Sequence, residues 1–336
     1  MLRGAFIGFG NVAEKGHAPG WRARPDVEIV AATDAAPARR AAFLEAFPNG
    51  RWRDTPTDLL AKEELDFVDI CAPPAAHASL ILQALDAGLH ALSEKPLVTR
   101  VSDAEAVAAA AARRGRIVHA VHNWLKAPIC LKISALIAAG AIGAVRSAQW
   151  RTLRSQPAIA AGPEGVANWR TDPELAGGGI LFDHGWHAVY CVMRWAGRPR
   201  AVSARLETRR HRQWRLEDTA TIDLETAGGA SRIFLTWAAD ERLNAIEIEG
   251  ERGRISVDGD TVVLAAPAGE SRFSCPPALS QGSHHPDWFD GVVDDFVAAA
   301  RGEKRGNLDE AALCALLMDA AQRSSAAGGA RLALGA

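Results

Sequence analysis

Short apolar runs separated by helix-like segments dominate the first third of the chain. Leu2–Ile7, Val27–Thr33, Asp66–Ala72, His90–Ser93 and Arg116–Val121 read as strands. Pro37–Phe47, Ala75–Ala87 and Ser102–Arg114 read as helices. The first carries Pro in its opening turn, and the last combines Ser102 and Glu105 as a capping box with Gly115 as its stop. Mostly apolar strands alternating with helices predict a doubly wound parallel sheet covered on both faces. After about His122 the period changes. Lys126–Ala139 is helical, and then Ala220, Ile222 and Leu224 alternate with Thr221, Asp223 and Glu225. Ile246 and Ile248 alternate in the same way with Glu247 and Glu249. A period of two predicts a large, mostly antiparallel open sheet with one polar face. Pro286–Ala300 and Leu308–Ala327 read as closing helices. The expectation is an α/β domain over 1–122 and an α+β domain over 123–336, whose last helices can fold back toward the first domain.

Length and composition fit this division. The 336 residues are 48% apolar and 23% charged, enough for two ordinary cores. A net charge of −2 argues against nucleic acid as a partner. Ile133–Val145 is apolar but broken by Gly140 and Gly143, and is shorter than the ~20 residues that a membrane span needs. The start lacks the charged, apolar and small-residue succession of a signal peptide. The five cysteines are scattered, with no C-x-x-C pair. Together these predict a cytoplasmic protein without a disulfide framework or zinc site.

Gly8-Phe9-Gly10-Asn11-Val12-Ala13 follows the first strand and opens a helix. This is the G-x-G-x-x-A turn of a Rossmann domain in its required context. Gly8 permits the tight turn, Gly10 lets a pyrophosphate approach the backbone, and Ala13 lets helix and sheet pack closely. Asp34 ends the second strand 21 residues after Ala13, where an acid bonds the adenosine ribose. The alternative is a plain turn with a capping Asp. A carboxylate there favours NAD over NADP, although Arg39 and Arg40 follow closely and could admit NADP.

Lys95 stands at the C-terminal end of a predicted parallel strand, where open α/β sheets bind ligands. There are only six lysines in the chain, so a lysine here stands out, though it could also be an ordinary surface residue. Gly177-Gly178-Gly179 offers a flexible approach to a helix running to about Trp195. Asp183 and His187, four apart on that helix, share a face near its N-terminus. The helix dipole there disfavours an imidazolium, leaving His187 able to serve as a general base with Asp183 to orient it. A capping Asp and a half-buried His would give the same pattern.

Taken in order, these motifs resemble the Gfo/Idh/MocA oxidoreductases, such as glucose–fructose oxidoreductase and inositol dehydrogenases. The resemblance rests on the glycine turn, Asp34, Cys71-Ala72-Pro73-Pro74-Ala75-Ala76-His77, Glu94-Lys95-Pro96, and the glycine run leading to Asp183-His184-Gly185-Trp186-His187. It implies hydride transfer between a nicotinamide and a hydroxyl-bearing carbon of a sugar, inositol or related polyol. Lys95 would hydrogen-bond the reacting oxygen, His187 would be the base and Asp183 would orient. Glu94 and Lys95 would lie near the nicotinamide ribose, with Pro73 and His77 lining the cofactor cleft. It also implies a homodimer or homotetramer formed through the open sheet face.

The chain departs from many relatives at Leu125 and Tyr190, so Asn123, Trp124, Trp169, Arg170, His184 and Trp186 are candidates for an individual substrate pocket. Arg170 suits a carboxylate or phosphate, and tryptophan faces suit sugar rings; each tryptophan could equally be core. Tyr190 lacks a lysine four residues on, which excludes the short-chain dehydrogenase mechanism. His184 with His187, or His284-His285 with Asp287, could in principle ligate a metal, but no H-E-x-x-H supports it, and no metal is expected. Two further readings stay open: redox-neutral glycoside cleavage with retained NAD, and a non-catalytic NAD(P)-sensing binding protein.

Overall fold

The computed structural model describes residues 1–158, 168–282 and 284–335. The chain divides into two compact units. One holds Met1–Asn123 and the later stretch ending at Ala315; the other holds most of Trp124–Gly282 and the chain from Leu316 onward.

The first unit contains β1 (Leu2–Ile7), α1 (Ala18–Arg22), β2 (Val27–Thr33), α2 (Arg39–Ala46), β3 (Arg51–Trp52), α3 (Pro56–Lys62), β4 (Phe67–Ile70), α4 (Pro74–Asp86), β5 (His90–Ser93), α5 (Val101–Arg114) and β6 (Val118–Ala120). The strands form a parallel sheet in the order β3-β2-β1-β4-β5-β6. The order reverses at β1 and β4, the switch point where such sheets bind ligands. The register sets Ile7 beside Thr33 and Ile70, Ile70 beside Ser93, and Ser93 beside Ala120. Gly8, Asp34, Cys71 and Glu94 therefore leave the sheet along one edge.

Local detail differs from the sequence expectation: β3 and α3 had no counterpart in it, and β4 and α5 have other bounds. The β4 strand stops at Ile70, because pairing with β1 ends where Gly8 turns away. The predicted capping box does not form: α5 begins at Val101, Ser102 lies inside it, and Arg100 at the N-cap makes no side-chain cap. Arg100 instead holds Asp103 at 3.0 Å.

The second unit contains α6 (Pro128–Ala138), β7 (Val145–Leu153), α7 (Pro173–Ala176), α8 (Trp186–Ala196), β8 (Ala201–Glu207), β9 (Thr219–Glu225), β10 (Ala230–Thr236), β11 (Leu243–Gly250), β12 (Arg254–Asp258), β13 (Thr261–Ala266) and β14 (Gly269–Ser274). Next come α9 (Pro286–Ala300), which belongs to the first unit, α10 (Leu308–Ala326), and β15 (Leu332–Ala333). The sheet order is β14-β13-β12-β11-β7-β10-β9-β8-β15, with β7 and β10 parallel and the other pairs antiparallel. Ala220, Ile222, Leu224, Ile246 and Ile248 are buried as the alternation required, and α8 packs on β7 and β10. The opposite face carries exposed ion pairs such as Arg232–Asp223 at 2.6 Å and Arg254–Glu247 at 3.0 Å.

Helix α9 supplies much of the first unit's aromatic core. Phe296 lies 5.2 Å from Phe67 and 6.2 Å from Trp21, and Phe289 lies 5.9 Å from Trp21. A fragment ending at residue 122 leaves these rings exposed, so it is expected to bind a hydrophobic dye and to melt without cooperativity. In the full chain, Phe296→Ala should cost ~3–5 kcal/mol in denaturant unfolding, the usual loss for a buried Phe.

Candidate active site

In the first unit the site grows from the β1 turn. Gly8 has φ +92°, and a Cβ there would stand 2.7 Å from the Cys71 carbonyl carbon, so only glycine fits. A Cβ at Gly10 would meet no atom of the described residues within 4 Å, its chain neighbours aside. Packing therefore does not demand that glycine, and its open side fits a phosphate approaching the backbone. Asn11 and Val12 begin the helix and Ala13–His17 continue it as a π-helical turn. The Glu14 amide is bonded back to Gly10 O at 2.9 Å. The Asn11, Val12 and Ala13 amides precede it in the first turn, where no intrahelical acceptor exists, which suits an anion.

Asp34 holds this turn rather than capping α2. Its Oδ2 accepts the Phe9 amide and its Oδ1 the Ala36 amide, both at 2.7 Å. A carboxylate has about four acceptor positions, so ribose hydroxyls can still be bonded. Phe9 contributes no open group: its ring lies in the core 5.3 Å from Phe43, its amide goes to Asp34, and its carbonyl accepts Arg39 Nε at 2.7 Å. Arg39 also pairs with Glu14, and Arg40 is exposed.

Behind the turn lies a buried polar chain that sequence reasoning missed. His17 Nδ1 is 2.9 Å from Asp69 Oδ2, and its Nε2 is 3.2 Å from Glu94 Oε1. Trp21 Nε1 donates to the same Asp69 oxygen at 2.7 Å, and Phe289 stacks on the imidazole at 3.8 Å. Burial pulls the His17 pKa down, but the charge and hydrogen bond of Asp69 prevail and hold it well above 6.5. Cys71 Sγ joins the cluster 3.3 Å from His17 Nδ1, its thiol kept neutral by burial. Burial likewise opposes the Glu94 charge, but the His17 hydrogen bond and the His17 and Lys95 charges keep its carboxyl below the usual range. Glu94 Oε2 accepts the Lys95 amide at 2.8 Å. Both Glu94 oxygens are thus fixed, and Lys95 stands half-buried beside them.

His17, Asp69 and Cys71 are the one group of three metal-capable side chains among the described residues. Their spacings are those of hydrogen bonds already made. The sets built on His184 or on His284 and His285 do not gather three ligands among the described residues.

His77, expected to line the cleft, is fully buried. Its Nδ1 is 2.8 Å from Pro96 O and its Nε2 2.8 Å from Ala72 O. It is a strut between the loops that follow β4 and β5, and burial lowers its pKa. Pro73 is the N-cap of α4. Asn123 ends the unit with a buried Oδ1 that has no hydrogen bond among the described residues.

In the second unit the glycine run is a close-packed junction, not the flexible approach expected. Gly177 ends α7 at φ +77°. A Cβ at Gly178 would lie 2.4 Å from Phe182, and one at Gly179 1.9 Å from Glu217 O. Glu217, also missed from sequence, accepts the Gly179 amide at 2.7 Å and the Leu181 amide at 3.2 Å. Burial raises its pKa, partly offset by these bonds. The helix expected to run unbroken is a π-helical turn, Leu181–Gly185, continuing into α8.

That turn presents Asp183, whose Oδ2 lies 3.2 Å from His184 Nδ1 and whose Oδ1 lies 3.8 Å from Arg170 Nε. Arg170 rests over the Trp169 ring at 4.3 Å. His187 is 6% exposed, with Nδ1 2.6 Å from the Tyr190 hydroxyl. Tyr190 Oη also accepts the Trp124 amide at 3.1 Å, and the Trp124 ring stacks on His187 at 4.6 Å. Tyr190, noticed in the sequence only as a departure, therefore fixes the orientation of the histidine. Trp186 is fully buried and belongs to the core, not to a pocket.

A family model described as an oxidoreductase family with an NAD-binding Rossmann fold matches residues 2–122, and one described as the GFO/IDH/MocA C-terminal domain matches residues 130–256. The chain is 31% identical over 204 residues to D-glucoside 3-dehydrogenase of Escherichia coli (strain K12), covering 60% of this chain and 56% of that protein. It is 27% identical over 314 residues to dTDP-3,4-didehydro-2,6-dideoxy-alpha-D-glucose 3-reductase of Streptomyces antibioticus, covering 89% of each. It spans about half the length of the first curated relatives it matches. Among solved structures, GenD2 from gentamicin A biosynthesis, in complex with NAD, superposes with a TM-score of 0.84 at 25% identity over 100% of this chain and 97% of that one. Levoglucosan dehydrogenase gives 0.86 at 21% identity over 100% of both chains, a likeness of fold. No helix among the described residues is long and apolar enough to cross a membrane.

The buried polar chain gives a stability prediction with a definite sign. A raised His17 pKa means that its contribution is fully present below the unfolded value near 6.5 and is lost as pH rises through the folded value. His17→Gln should cost ~3–5 kcal/mol, as breaking a buried ion pair does. In thermal melts the gap between the two proteins should be widest in mildly acidic buffer and narrow on the alkaline side; a constant gap would contradict a cationic His17.

Proposed function

This chain belongs to the GFO/IDH/MocA oxidoreductase family, and from that premise we propose that it is an NAD-dependent dehydrogenase or reductase acting on a hydroxyl-bearing carbon of a sugar or related polyol. The observation that carries this reading is the turn after β1. Gly8 is forced by backbone contact, Gly10 is open, and Asp34 stands at the end of β2 with acceptor capacity for a ribose. That combination fits a dinucleotide, and the Asp34 carboxylate repels the extra phosphate of NADP. Arg39 does not offset this, since it is engaged by Phe9 O and Glu14.

When bound, NAD supplies the hydride acceptor or donor. Everything else falls to side chains of the protein. Lys95, backed by the fixed Glu94 carboxylate, hydrogen-bonds the reacting oxygen and stabilises negative charge developing there. His187 takes the hydroxyl proton in the oxidation direction through the ring nitrogen not held by Tyr190. Asp183 orients the substrate hydroxyls, and Trp124 and Trp169 offer ring faces to the sugar. The known activities of related proteins on glucosides and deoxysugars support a carbohydrate substrate.

The test is a titration with NADH and NADPH read by energy transfer from the ten tryptophans. NADH should bind more tightly than NADPH, and Asp34→Ala should weaken NADH and narrow the difference. In turnover with a panel of sugars and polyols, His187→Ala should retain NADH binding and lose roughly 10²–10⁴-fold in kcat. Lys95→Ala should lose a comparable factor. Free sugar released from glycosides without accumulation of NADH would replace net redox with redox-neutral cleavage.

A further inference from the structure

The surroundings of Asp183 hold more positive charge than a neutral polyol calls for. Arg170 lies at 3.8 Å from Asp183, outside hydrogen-bonding distance, and its Nε is buried with no hydrogen-bond partner among the described residues. The Trp169 ring beneath it limits its freedom to turn away. Arg154, at the exit of β7, is only 4% exposed. Its backbone is fixed on both sides, the amide on Thr236 O at 2.9 Å and the carbonyl on the Ala239 amide at 3.0 Å. Its Nη1 donates to Leu153 O at 2.7 Å and Leu243 O at 2.9 Å, and its Nη2 to Asn244 Oδ1 at 2.5 Å. All three acceptors are neutral, and its Nε is buried with no partner among the described residues.

Arg154 belongs to the same neighbourhood as Asp183. It pairs with Thr236 at the end of β10, and the turn that carries Asp183 packs on that strand, with Gly185 against Leu235. Burial, and next the Arg242 charge, pulls Arg154 down to about 10, and the Asp183 carboxylate partly restores it. It remains a cation at neutral pH. Arg170 thus faces the Asp183 carboxylate at 3.8 Å and Arg154 lies within reach of its charge. A buried cation whose hydrogen-bonding edge is unmet is costly unless an anion completes it. The guanidinium edge matches carboxylate and phosphate oxygens.

We propose that Arg154 and Arg170 form an anion subsite beside Asp183, so that the sugar on which this protein acts carries a negative group, a carboxylate or a phosphate. The inference rests on the reading of Asp183 and His187 as substrate residues. A neutral analogue would leave the Nε of each guanidinium without an acceptor among the described residues, which is how a polar site rejects a substrate lacking its partner group.

The experiment compares initial rates with NAD on stereochemically matched triplets: glucose, glucuronate and glucose 6-phosphate, then the galactose and mannose equivalents, with gluconate and galactonate added. In at least one series the acid or the phosphate should exceed its neutral partner in kcat/KM by at least about ten-fold, and the preference should shrink as salt rises. Which anion wins identifies the group. Arg170→Met and Arg154→Met should each bring the ratio close to one; Arg154→Lys, which keeps the charge, serves if the methionine variant fails to fold. Neutral sugars used equally well in every series, or a preference that survives both variants, would overturn the proposal. The NADH titration separates the two failures. If NADH binds and neutral sugars turn over without preference, only the anion subsite falls. If neither NADH nor any sugar is used, the dehydrogenase reading falls with it. Should NADH bind without turnover of any sugar, calorimetric titration of the same acids and phosphates into the NADH complex decides, and absence of binding refutes the subsite.

Discussion

A single buried imidazole, His17 between Asp69 and Glu94, organises the first unit. Asp69 sits inside β4, a position that a parallel sheet ordinarily fills with an aliphatic residue. Buried without a partner, its carboxylate would be strongly disfavoured. His17 and the Trp21 indole satisfy it, and both come from the helical segment that follows the glycine turn. That helix is therefore tied to the sheet next to the switch point. The other imidazole nitrogen reaches Glu94, which in turn holds the Lys95 amide. A chain of hydrogen bonds thus joins the helical segment after the glycine turn to Lys95, along the same edge of the sheet.

The same economy recurs in the second unit with different groups. Glu217 satisfies amides at the start of the turn bearing Asp183, and its own backbone approaches so closely that Gly179 must lack a Cβ. Tyr190 bonds His187 from one side while Trp124 stacks on it from another. Both turns that carry candidate site residues, Ala13–His17 and Leu181–Gly185, are π-helical. Wider turns of this kind often mark functional sites, because the extra residue re-aims side chains that a regular helix would spread along its surface.

The balance of charge separates the two units. In the first, each buried charge meets an opposite one: Asp69 and Glu94 face His17, with Lys95 adjacent. In the second, Arg154 and Arg170 stand near the single carboxylate of Asp183; Arg170 faces it at 3.8 Å from over an aromatic ring, and the hydrogen-bond acceptors of the Arg154 side chain among the described residues are neutral carbonyls and an amide. Buried polar groups without a partner among the described residues are where a ligand has most to contribute, since both sides then shed unmet hydrogen bonds.

The sequence alone determined the fold class, the glycine turn with Asp34, and the placement of Lys95, Asp183 and His187 on particular elements. These follow from local rules: strand and helix periods, turn chemistry, and the need for an anion site at a helix N-terminus. It also marked β9 and β11 residue by residue, because alternation with a period of two is a property of neighbouring positions. The tertiary structure decided the rest. His17, Asp69 and Glu94 are far apart in sequence, so nothing local announced that they share one hydrogen-bonded chain. The glycine run looked like flexibility until the Glu217 backbone was found packed against it. Ser102 had the spacing of a cap, but the helix begins one residue earlier, where no side-chain cap forms. Arg154 looked like one arginine among many, because burial and the choice of partners are set by strands that meet only on folding.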